Sequence, residues 1–106
     1  MTTKIKEEIN WSIVKEALEE GTISGYKIAV IEAGKILEKL LEQKGYPGRT
    51  TRERILNARD YFHNLEGLLR AEKIRQNLVN NLEYQLTSLQ VEDAINAYHQ
   101  AVIDLN

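Results

Sequence analysis

Arg75 is the residue whose type and position first demand chemistry. On a helix running through Asn64–Leu82, the side chains of Leu68, Ala71, Leu78, Val79 and Leu82 share one face. Arg75 falls among them, about 20° from Leu68 and Leu82 at the ideal helical period. A guanidinium keeps its proton at any physiological pH, and burying it alone costs several kcal/mol. An anion must therefore face it: an internal carboxylate, a group from a second subunit, or an anionic ligand. Glu72, about 60° away on the same helix, is placed to pair with it. Asn80 is about 140° away, so one monomer would struggle to aim both side chains at one anionic ligand. Two such helices meeting around a dyad could supply both groups, which favours an isologous dimer.

Other chemistries find little footing. The chain has no cysteine, which excludes a disulfide framework, a thiolate metal site and a cysteine nucleophile. His63 and His99 lie in separate segments without ligand spacing, and Asp60, Glu66 and Glu72 form no carboxylate–histidine pattern of the di-iron kind. No metal and no cofactor is expected. Gly45-Tyr46-Pro47-Gly48 follows no strand and reads as a turn rather than a phosphate loop. The aromatic residues are scattered rather than interleaved with cations as a stacking platform for single strands would be.

The elements that must position Arg75 all read as helix. A first helix is predicted over about Ile5–Glu20, with Ile9, Trp11, Ile13, Val14, Ala17 and Leu18 on its apolar side and Gly21 as the stop. Ser24 is the expected cap of a long second helix reaching about Lys44. Its wide apolar arc, from Ile28 through Leu41, suits the centre of a bundle touched on two sides. Pro47, between Gly45 and Gly48, marks a sharp loop. The third helix is expected from the Thr50/Thr51 caps to about Phe62, and the fourth from an Asn64 cap to Asn80-Asn81. Asn tolerates the left-handed conformation common at a helix end. Ser88 is the expected cap of a fifth helix over about Leu89–Leu105, which lines up Val91, Ala94, Ile95, Tyr98, Ala101, Val102 and Leu105. Short connections between amphipathic helices predict an all-α fold, an antiparallel bundle of four to five helices, as a single domain over 1–106.

Composition agrees with a globular chain: 106 residues, 42% hydrophobic and 28% charged. No segment has the apolar core of a signal peptide or the length to span a bilayer, so a soluble, cytoplasmic protein is expected, with no membrane partner. The net charge of −2 argues against a broad footprint for duplex nucleic acid. The distribution is uneven, however. Lys44, Arg49, Arg52, Arg54, Arg59, Arg70, Lys73 and Arg75 outnumber Glu53, Asp60, Glu66 and Glu72 in the middle of the chain. Such a run is either a solvated helix face or a local anion-binding surface.

The stretch Ile74-Arg75-Gln76-Asn77-Leu78-Val79-Asn80, followed by Tyr84-Gln85-Leu86-Thr87 and an amphipathic last helix, resembles the signature region of HEPN domains. That region carries an Arg, a polar residue and, at the end of an R-x4-H spacing, a His. Ala29 to Thr50 also resembles the second helix and following loop of small bacterial HEPN-like proteins. Together these segments cover most of the chain from about Gly25 onward. The resemblance implies a metal-independent endoribonuclease, in a toxin–antitoxin or defence setting, whose site forms across a homodimer of fourth helices. By that likeness Arg75 would hold the scissile phosphate, Asn80 would mark the acid–base position and Gln76 would orient the motif. Glu72 would neutralise and position Arg75, Glu32 matches an acidic position of the second helix, and Arg70 and Lys73 would guide the RNA backbone. The chain departs from the pattern at Asn80, where the motif has His, and more mildly at Gln76. Asn has no proton to shuttle near neutral pH, and losing a general acid–base group typically costs about 10²–10⁴-fold in rate. Asn80 is either a substitution in a silenced nuclease or a natural loss. The competing expectation is a non-catalytic dimeric module that binds a nucleotide, RNA or a protein partner such as an antitoxin.

Overall fold

The computed structural model describes residues 10–81 and 83–106. Its regular structure is helical throughout: α1 (Ser12–Glu19), α2 (Ile23–Gln43), α3 (Thr51–Asn57), α4 (Leu65–Asn80) and α5 (Ser88–Leu105), with a 3₁₀ turn at Arg59–Tyr61. The all-α bundle expected from periodicity is the fold observed. No helix among the described residues is long and apolar enough to cross a membrane.

Local chemistry accounts for most of the boundaries. Gly21 takes a left-handed φ of 66° after α1, and its N–H bonds to the Leu18 carbonyl at 3.1 Å. That turn sends the chain back along α1. Thr22 emerges extended and caps α2 by accepting from the Gly25 N–H at 2.9 Å, so the cap lies two residues before the expected Ser24. Likewise Thr87, not Ser88, caps α5, in a capping box closed by Gln90. At α3 the Thr50 hydroxyl accepts from the Glu53 N–H while the Glu53 side chain reaches back, completing the reciprocal arrangement.

Two boundaries differ from expectation in an informative way. The third helix stops at Asn57 rather than near Phe62, because only Ala58 is buried between Asn57 and Tyr61. With nothing to press a further α-turn against the core, the chain tightens into the 3₁₀ turn before Phe62 plugs inward. The fourth helix ends at Asn80 as expected, but not through a left-handed Asn. Asn81 is extended (φ −149°, ψ 99°) and instead uses its side chain, which accepts from the Glu83 N–H at 3.0 Å. The start predicted for the first helix, with Ile5 and Ile9, and the stripe residue Leu82 lie outside the described residues.

α2 is the central element. It packs against α1, α3, α4 and α5, while α4 and α5 also pack on each other. Leu37 and Leu41 of α2 meet Ile55, Leu68, Leu78 and Tyr98 in a core where each is at most 1% exposed. Burying one such aliphatic side chain contributes about 1.5–3 kcal/mol. The core therefore forms around α2, and α4 is held against it by the face that carries Arg75.

Candidate functional site

Arg75 lies inside the bundle, 5% exposed, and the anions that face it come from its own chain. Its Nε donates to Glu72 Oε1 at 3.0 Å and its Nη2 to Glu72 Oε2 at 3.1 Å, a two-pronged contact one turn back along α4. The same Nη2 reaches Thr51 Oγ1 at 3.0 Å at the start of α3 and Glu38 Oε2 at 3.3 Å on α2. The Thr51 hydroxyl in turn donates to Glu38 Oε2. From α5, Tyr98 donates its phenolic O–H to Glu72 Oε1 at 2.8 Å. From the next turn of α4, Gln76 Nε2 donates to Glu72 Oε2 at 2.9 Å.

Four helices thus meet at one carboxylate–guanidinium pair. Gly34 of α2 is what lets the guanidinium in. A Cβ added there would stand 2.1 Å from Arg75 Cδ and 2.5 Å from Nε. No side chain fits between α2 and the arginine stem, so the glycine is a packing requirement rather than a turn.

The electrostatics follow from this enclosure. Burial alone would weaken the charged form of Arg75, but the hydrogen bonds and charge of Glu72, with Tyr98 and Glu38 behind them, hold its pKa above the ordinary value. Burial, then the neighbouring Glu72 charge and hydrogen bond, drives the Tyr98 phenol far upward, so it stays protonated and serves as a donor. Glu72 accepts two hydrogen bonds on each oxygen, which fills the roughly four lone-pair sites of a carboxylate. No buried side-chain nitrogen or oxygen among the described residues is left without a partner. A carboxylate so fully engaged has no free lone pair with which to take a proton from a substrate.

The remaining site residues expected from the sequence are dispersed. Gln76 is exposed but touches Glu72, so Arg75, Glu72 and Gln76 form one cluster. Asn80 is exposed in the last turn of α4 and makes no hydrogen bond to that cluster. Glu32 pairs instead with Lys35, at 3.6 Å on the outer side of α2. Arg70 and Lys73 are exposed on the outer face of α4, where they line a groove with Arg52.

Glu38, Thr51, Tyr98 and Gly34 complete the cluster, and sequence reading did not single them out for it. Tyr98 carried a usable signal: a phenol in the middle of an apolar stripe needs a buried acceptor for its hydroxyl. Thr51 was absorbed by its role at the start of α3, and Glu38 stands on the edge of α2 where a solvated carboxylate is ordinary.

Comparison with known proteins yields no matching family model, no similar curated protein and no matching solved structure.

Proposed function

We propose that this chain is a non-catalytic, HEPN-like helical interaction module in which Arg75 is an internal tie. The observation that carries this reading is the guanidinium itself: its Nε and Nη2 are engaged by Glu72, Glu38 and Thr51 within one monomer. A nuclease arginine has to meet a phosphate from outside and needs a proton shuttle beside it. Here the motif's acid–base position is Asn80, which has no titratable proton. Self-association through α4 belongs to the same reading, supported by Val79, which is 53% exposed on that helix.

The alternative is a metal-independent RNA endonuclease of the toxin or defence type, weakened at Asn80. It rests on the resemblance of Ile74–Asn80, with Tyr84–Thr87, the last helix and the Ala29–Thr50 segment, to HEPN domains. One experiment separates the two: incubate the native chain and Asn80→His with single-stranded RNA and look for 2′,3′-cyclic phosphate ends. The module reading expects none from either protein. Cyclic ends that appear with Asn80→His and vanish when Gln76→Ala is added would overturn it. Sedimentation equilibrium tests self-association separately, since a monomer at every concentration removes the α4 dimer from the proposal.

A further inference from the structure

We infer that the groove between Arg52 and the outer face of α4 docks an acidic segment of a protein partner, anchored by one apolar side chain. This inference rests on the interaction-module reading and names the chemistry of its partner. The groove has a volume of about 580 Å³, and the charged side chains of Arg52, Arg70, Lys73 and Glu66 line it together with Leu69, Glu72 and Gln76. Arg52, Arg70 and Lys73 are all exposed, and among the described residues no side-chain hydrogen bond or ion pair engages any of them. Glu72 does not compete for these cations, because Arg75, Tyr98 and Gln76 already fill its oxygens. Among the described residues that line the groove, the internal pair thereby leaves three cations without a side-chain partner against the one carboxylate of Glu66. That local excess of positive charge stands on a chain whose net charge is −2.

Charge alone would suit many anions, but the lining narrows the choice. Half-buried Leu69 and the aliphatic stems of Arg52, Arg70 and Lys73 offer carbon to a ligand, with the charged ends in water around them. A peptide carboxylate can meet the cations while a neighbouring apolar side chain covers Leu69. A nucleic-acid strand would satisfy the cations, yet no aromatic residue lines the groove to stack a base. Rim cations of this kind mainly steer encounter and fix register, and the apolar anchor supplies much of the holding energy.

The test is fluorescence anisotropy with the full chain and three labelled probes. The first is a glutamate-rich peptide with one central leucine, the second is the same peptide with that leucine replaced by serine, and the third is an oligouridylate of matched charge. The expected order places the leucine peptide first, with affinity that falls as salt is raised. The paired change Arg70→Glu with Lys73→Glu should weaken it by about tenfold or more, equivalent to roughly 1.4 kcal/mol, with the helical circular dichroism unchanged. Leu69→Ser should weaken the leucine peptide and leave the serine peptide unaffected. Equal binding of the two peptides, tighter binding of the oligouridylate, or no peptide binding at all would each overturn the inference. Those outcomes are distinct from RNA cleavage, which would sink the module reading without saying anything about peptide in the groove.

Discussion

At the scale of single residues, the Arg75–Glu72 pair is an interaction that is expensive to break from one side. Arg75→Ala leaves Glu72 buried with only Tyr98 and Gln76 as donors. Removing one partner of a buried ion pair typically costs about 3–5 kcal/mol, and the cost here should appear as a lower urea midpoint. Gly34→Ala decides between two opposing effects. Helix propensity alone would stabilise the protein by about 1 kcal/mol. The new Cβ, however, would stand 2.1 Å from Arg75 Cδ. Overpacking of a tight interior costs about 1–3 kcal/mol, so a net loss of stability is expected. The loss should shrink in an Arg75→Ala background, where only the Tyr98 hydroxyl, 3.1 Å from the new Cβ, still stands close. If Gly34→Ala stabilises the native chain, the account of that glycine is wrong.

At the scale of elements, the turn between the 3₁₀ segment and α4 is pinned to the far end of α5. The His63 backbone N–H donates to Asp104 Oδ2 at 3.1 Å, and the His63 ring approaches Oδ1 at 2.7 Å. Gln100 Nε2 adds a further bond at 2.9 Å. Burial alone would raise the Asp104 pKa, but the His63 backbone bond, then Gln100 and the His63 side chain, bring it below the ordinary carboxylate value. A carboxylate whose folded pKa is depressed adds stability above its unfolded value of about 3.9, and loses it as pH falls through the folded one. Urea midpoints followed from neutral pH to below about pH 4 should therefore drop more steeply for the native chain than for Asp104→Asn. Parallel curves for the two proteins would remove this contact from the stability account.

At the scale of the whole molecule, the cluster ties α2, α3, α4 and α5 through Glu38, Thr51, Glu72, Arg75, Gln76 and Tyr98, while α1 packs on the central α2. Opening any one of the four exposes polar groups that the others hold, so unfolding should be a single transition. Trp11, whose ring meets His99 of α5 edge-on at 5.1 Å, gives a local probe of the contact between the start of α1 and α5. Its fluorescence and the helical circular dichroism should lose signal at the same urea concentration. Separate midpoints would show that α1 opens independently of the rest of the bundle. Much of this architecture was legible in the sequence, since helical periodicity, Gly21, Thr50 and Asn64 act within a few residues of themselves and need no distant partner. The same local logic made Arg75 conspicuous and named Glu72 as a partner one turn away. It did not reach Glu38, Thr51, Tyr98 or Gly34, which are near Arg75 only because α2, α3 and α5 converge there. Sequence by itself determined that a permanent charge sits on an apolar face and must be met by an anion. Only the tertiary structure decided that this anion belongs to the same chain, because hydrogen bonds and desolvation act through space across four helices, and periodicity speaks for one helix at a time.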